Sequence, residues 1–156
     1  MFRRNFLKSS IIGSLSASTI MSLTNKNNPI VKSVPRIIST WKHGVNANKI
    51  AWKKLNNGEG GLTAVEYGVR DSENDPNERS VGYGGLPDRE GKVTLDACIM
   101  DSNNDCGSVS FLENIKNPIS VARLVMEKTP HIMLSGKGAY DFAIENGFKS
   151  ENLLTE

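Results

Sequence analysis

Apolar residues recur along this chain in two different periods, and the switches between them mark out its elements. Arg36-Ile37-Ile38-Ser39-Thr40-Trp41 is a short β-branched run that predicts a buried strand, ended by Lys42-His43-Gly44. Ala47, Ile50, Ala51 and Leu55 then share one face at helical spacing, with Lys49, Lys53 and Lys54 off it, and Asn56-Asn57-Gly58 stops that helix. Gly60-Gly61 opens a second helix with Leu62, Val65 and Val69 on its inner face. Gly68 inside it costs about 1 kcal/mol relative to alanine, which points to close packing against a neighbour.

The period then breaks. Asp75 to Gly91 is loop, with Asp-Pro, Gly-Tyr-Gly-Gly, Leu-Pro-Asp and Glu-Gly in quick succession. Val93 to Asp101 and Gly107 to Leu112 read as two strands joined by Ser102-Asn103-Asn104-Asp105. Asn117 caps a helix with Pro118 at its first position, Ile119, Ala122, Val125 and Met126 form its inner stripe, and Thr129-Pro130 ends it. His131 to Leu134 predicts a short strand, and Gly136 to Asn146 a last helix stopped by Gly147. A paired antiparallel sheet with helices to cover it implies a layered α+β fold. So few strands in a stretch of this length make a thin sheet, the expectation for half of a larger domain.

Charge sharpens the division. The net charge of +2 averages a basic leader and an acidic body, because no Asp or Glu precedes Glu59. The leader's bases are scattered and lack interleaved aromatics, so no nucleic-acid partner is expected. Arg3-Arg4-Asn5-Phe6-Leu7-Lys8, followed by a weakly apolar, Ser-rich stretch from Ile11 to Leu23, resembles a bacterial twin-arginine export signal. Phe2 stands where such signals usually carry Ser or Thr. The apolar run is short and interrupted compared with the roughly 20 residues a membrane span needs. Residues 1–32 are therefore read as export signal and linker, and residues 33–156 as one partial domain of a periplasmic protein.

An exported protein with two cysteines invites a disulfide. In the hairpin as read, Asp101 pairs with Cys106 and Cys98 lies opposite Val109. An offset of three residues is roughly 10 Å at about 3.3 Å per residue, beyond the reach of a bridge. Both cysteines are expected as small packing residues. Neither has a neighbouring His or a C-x-x-C spacing, so no metal site and no cofactor is assigned.

Several blocks taken together resemble the glycosylasparaginase branch of the N-terminal-nucleophile hydrolases, the bacterial members above all. They are Ser39-Thr40-Trp41; Thr63-Ala64-Val65-Glu66 with Gly68-Val69; Ser80-Val81-Gly82-Tyr83-Gly84-Gly85 with Pro87-Asp88; Thr94-Leu95-Asp96-Ala97 with Ile99-Met100-Asp101; Ile115 to Arg123; and Glu127-Lys128-Thr129-Pro130-His131. The resemblance implies the N-terminal half of an αββα sandwich. The precursor would cut itself ahead of a Thr, and the Thr-led β chain would attack the amide between N-acetylglucosamine and asparagine. Only a chain terminus supplies a free α-amino group, whose pKa of about 8 lets it serve as base to its own hydroxyl. That Thr is expected beyond Glu156, so no catalytic residue is assigned to this chain. The expected partners are the β chain, a glycosylated asparagine as substrate and a second αβ unit.

One binding residue carries over. Trp41 stands where the family has a Trp at the end of the first strand, lining the substrate pocket, and the resemblance assigns it there; without the resemblance it reads as a core Trp closing the sheet. This sequence has His43, Thr63 and Lys137 where the family usually has Phe, Asp and an acid or similar polar residue. Two other functions stay open: a truncated, inactive homologue or binding-only scaffold, and a relative of the plant-type L-asparaginases and isoaspartyl peptidases.

Other motifs read as structure. Gly82-Tyr83-Gly84-Gly85 opens no helix and is expected as a tight loop. Asp96 faces solvent or the turn, and Asp101 to Asp105 is a turn without the spacing of a calcium loop. Asp71, Glu73, Asp75 and Glu78 read as a solvated helix end. His43 reads as solvent-facing or hydrogen-bonded, and His131 has no partner at metal spacing.

Overall fold

The computed structural model describes residues 34–155; the export signal and linker read in residues 1–32 lie outside them. The elements run α1 (Gly44–Asn56), α2 (Gly61–Asn74), β1 (Thr94–Met100), β2 (Cys106–Glu113), α3 (Pro118–Lys128), β3 (Met133–Ser135) and α4 (Gly136–Glu145). The sheet order is β1-β2-β3, with β1 antiparallel and β3 parallel to β2. A small mixed sheet with four helices among the described residues is an α+β arrangement.

The core sits on one face of this sheet. Ile99, Val109 and Leu112 pack against Ile119, Val121, Ala122 and Val125 of α3 and against Ala139 and Ala143 of α4. Helix α3 crosses β2 so closely that a Cβ on Gly107 would lie 2.2 Å from the Ala122 carbonyl oxygen. The opposite face presents Asp96, Cys98, Met100 and Met133 to solvent. Helices α1 and α2 pack on each other through small residues: a Cβ on Gly68 would come within 2.8 Å of the Ala47 carbonyl oxygen, the close approach its position in the helix implied.

The run Arg36 to Trp41 forms no strand. A strand needs a neighbour to take its backbone hydrogen bonds, and the sheet offers this run none. Its first four residues, Arg36 to Ser39, instead line a groove with Ala47, Ala51, Leu55 and Ala64, and Ile38 stays 87% exposed. The inner face of α2 is also rotated from the one expected. Ala64, Gly68 and Ser72 are buried, as are Glu66 and Glu73, while Val65 is half exposed.

The hairpin register differs by one residue. Ser102 to Asn104 form the turn, closed by the Asp101 N–H donating to the Asp105 carbonyl, with Asn104 at φ 70°. Cys98 therefore faces Ser108, and Met100 faces Cys106. The two cysteines lie diagonally, about 7–8 Å apart on a regular ladder, and both are free thiols. They do not pack in the core, since Cys98 is exposed on the bare face and Cys106 partly so. Farther along, Ser110 and Phe111 together oppose Asp96, a β-bulge. Asp96 Oδ1 accepts the Phe111 N–H at 2.8 Å and holds that residue at φ 51°. The extra residue brings both Val109 and Leu112 onto the core face, although they are an odd number of positions apart.

Candidate functional site

Trp41 ends the irregular segment, and a turn returns the chain at once: the Gly44 N–H donates to the Trp41 carbonyl at 3.0 Å. Gly44 is required there, because a Cβ would lie 2.3 Å from the Ser39 Cβ. The turn leaves the indole 64% exposed, so Trp41 closes no sheet. It lines a groove of about 220 Å³ with Ser39, Thr40, His43, Ala47, Val69, Ser72 and Val81. The Trp41 and His43 ring centroids are 5.8 Å apart, with planes inclined by 32°. His43 occupies the N-cap of α1 but caps nothing with its ring; its Nδ1 lies 2.5 Å from Glu78 Oε2.

A second groove, of about 300 Å³, adjoins the first through the shared walls Val69 and Val81, and reaches Glu73, Thr94, Asp96 and Cys98. Glu73 is 2% exposed. Its Oε1 accepts the Ile119 N–H at 3.0 Å, and its Oε2 accepts from the Asn117 side-chain amide at 3.2 Å. A carboxylate from α2 thus caps the start of α3, where its charge also meets the positive end of the helix dipole. Asn117 marks the helix start as expected but leaves the capping to Glu73. Burial pushes the Glu73 pKa up to about 7, against the lowering pull of those two hydrogen bonds and of Arg70. The loop fixes Glu73 from behind: the Tyr83 N–H donates to its carbonyl at 2.7 Å, and a Cβ on Gly82, at φ 54°, would lie 2.1 Å from that oxygen. The Gly-Tyr-Gly-Gly stretch is the tight loop its composition implied.

Two turns back along α2, Glu66 accepts from the Ser120 hydroxyl and, at 2.8 Å, from Arg123. Arg123 also holds Glu127 at 2.7 Å. No buried side-chain nitrogen or oxygen among the described residues lacks a partner.

Within the acidic run Asp75 is exposed, as a solvated helix end would be, but Glu73 and Glu78 are not. Glu73 is a buried cap and Glu78 a partner of histidine. A signal for Glu73 was present: Glu66 and Glu73 are seven residues apart, on one face of α2, and the first turn of α3 carries no acid of its own. Nothing local marks Glu78. Asp96 is exposed but fastens the bulge, and Asp101 to Asp105 is a turn in which Asp101 Oδ1 accepts two backbone N–H groups.

Among the described residues, no hydroxyl is hydrogen-bonded to a histidine ring or a lysine amine. Ser39 donates to Asn48, Ser110 to Ser135, Ser120 to Glu66 and Thr129 to the Val125 carbonyl. The grooves can bind and orient a small polar molecule; the described residues assemble no activated nucleophile. Another concavity, of about 460 Å³, lies elsewhere, at the C-terminal ends of β2 and β3, between Phe111, Asn114, Lys137 and Tyr140. Its Lys137 pairs with Asp141 and stands apart from every residue singled out for the chemistry.

Comparison with known proteins places the chain in a family. A family model described as asparaginase matches residues 15–156. The chain is 57% identical over 158 positions to an N(4)-(beta-N-acetylglucosaminyl)-L-asparaginase of Elizabethkingia miricola, covering 98% of this chain and 46% of the relative. It is 43% identical over 134 positions to the rat (Rattus norvegicus) protein of the same name, covering 85% and 37%. A putative protein of that name in Drosophila grimshawi is 42% identical over 156 positions, covering 97% and 39%. The chain spans less than half the length of each.

Proposed function

Because this chain belongs to the asparaginase family, we propose that it is the N-terminal portion of an exported amidohydrolase that cleaves the bond between N-acetylglucosamine and asparagine. The nucleophile is the terminal Thr of a β segment made by self-cleavage of a longer precursor. The 57% identity to a bacterial relative named for that reaction carries the reading. The site agrees with the division of labour: a Trp-walled groove and buried carboxylates, with no hydroxyl among the described residues hydrogen-bonded to a histidine ring or an amine. In the assembled enzyme a second layer covers the bare sheet face and completes an αββα sandwich, and αβ units pair. Export to the periplasm uses Arg3-Arg4.

The test is the precursor expressed from its natural gene. Intact-mass and N-terminal sequencing are expected to find a second chain beginning with Thr, and the purified complex is expected to release aspartate from N-acetylglucosaminyl-asparagine. Trp41→Ala should raise KM about tenfold, the loss of one aromatic wall. A single species ending at Glu156, with no release of aspartate, would overturn the proposal in favour of an inactive homologue. Faster turnover of free asparagine or isoaspartyl peptides would point to the plant-type relatives. Replacing Arg3 and Arg4 with lysine should leave the protein in the cytoplasm.

A further inference from the structure

His43 and Glu78 form a pair that the proposed chemistry does not use. Each side chain is about a quarter exposed, at 24% and 27%, far less than the indole beside them. Glu78 is held by a turn in which its N–H donates to the Asp75 carbonyl at 3.0 Å. The carboxylate approaches Nδ1, which fixes the ring by one nitrogen and leaves Nε2 to take up or release a proton. The other residues lining the groove, Ser39, Thr40, Ala47, Val69, Ser72 and Val81, carry no charge, so Glu78 is the charged group facing the imidazole. Lys42, the chain neighbour, is exposed.

From this geometry we infer that the His43–Glu78 pair is a proton-controlled rim that positions the Trp41 indole and admits a substrate α-carboxylate best when His43 is protonated. The inference rests on the substrate proposed above, whose asparagine moiety carries an α-carboxylate. With His43 neutral, the pair has net charge −1 and repels a carboxylate entering the groove. With His43 protonated, the net charge is zero, and an imidazolium lies beside the indole. His43 acts through charge and through Trp41 and is a positioning residue.

Two measurements test it. The first needs no activity. Trp41 and Trp52 are the two tryptophans, so in a Trp52→Phe background the emission reports Trp41. An imidazolium quenches a neighbouring indole, so emission is expected to be about twofold lower at pH 5 than at pH 8. His43→Phe should abolish the fall, and Glu78→Gln, which frees the ring, should weaken it. An unchanged thermal transition shows that each variant is folded. A fall that persists in His43→Phe overturns the inference.

The second measurement uses the processed αβ enzyme. KM for N-acetylglucosaminyl-asparagine is expected to rise about fivefold from pH 5 to pH 8, with kcat moving less, as for one added like charge at a groove. His43→Phe leaves Glu78 unpaired and should hold KM high and flat; the double variant His43→Phe/Glu78→Gln should hold it low and flat. A KM that ignores pH, or a double variant no better than His43→Phe, overturns the gating. Should the enzyme release no aspartate, the proposed function fails, and the fluorescence alone still decides the His43 pair.

Discussion

Helix α3 is held on two flanks by opposite chemistry. Toward the sheet and α4 it offers Ile119, Val121, Ala122 and Val125 to a hydrocarbon core. Toward α2 it offers the Ile119 N–H, Ser120 and Arg123 to two buried carboxylates. The first flank depends on volume, since apolar contacts have no direction and interiors are close-packed. The second depends on direction and protonation, because a buried polar group is tolerated only while its partners are in place. One helix thus couples a part of the molecule indifferent to pH to a part that responds to it.

Substitutions can separate the flanks, beginning with the largest effect. Leu112→Ala opens a cavity on the apolar flank and should cost about 4 kcal/mol in urea unfolding of the chain, equally at acid and neutral pH. Gly107→Ala forces a methyl group into the α3 backbone and should cost about 3 kcal/mol, again independent of pH. If either loss varies with pH, the flanks are not separate.

Glu73 should behave differently. Its folded pKa of about 7 lies above the ordinary value of 4.5, so the folded state holds the proton more tightly than the unfolded chain does. The favourable contribution is fully present below about pH 4.5 and is lost as pH rises through 7. The fall across that window is of the order of 3 kcal/mol. Glu73→Gln keeps an oxygen for the Ile119 N–H and removes the titration. It should unfold much as the parent does at pH 4 and be the more stable of the two at pH 8. Matching slopes in parent and variant would mean that Glu73 is not the group responding. The smallest change is expected at the bulge: Asp96→Ala removes the acceptor of the Phe111 N–H and should cost about 1 kcal/mol, read as a small drop in melting temperature.

What the sequence disclosed follows the same division. Elements held by local rules were legible: α1 from Ala47 to Leu55, the two long strands, and the start of α3 at Asn117-Pro118. The tight approach at Gly68 was legible too, because a glycine in mid-helix gives up stability unless a neighbouring backbone comes close there. What depends on a distant partner was not. Arg36 to Trp41 has the composition of a strand but no neighbour to pair with. Val65 fits an apolar stripe, yet two glutamates take the buried face. The hairpin slipped by one residue because Asn104 adopts a left-handed conformation, which makes the turn three residues long rather than four. Trp41 was singled out through the family resemblance alone. The His43–Glu78 pair beside it joins two segments that no local pattern connects.

The bulge in β2 also has a consequence for how this chain tolerates changes in length. Ser110 and Phe111 share a single partner, so the ladder contains one residue of slack, bounded on either side by inward-facing Val109 and Leu112. Removing Phe111 would leave those two side chains two positions apart, which is what an unbulged strand needs to keep both in the core. A deletion elsewhere in either strand would turn part of the core face outward. Phe111 is therefore the place where the hairpin can lose a residue and keep its interior, and its side chain is free to vary with whatever the groove above Gly136 comes to hold.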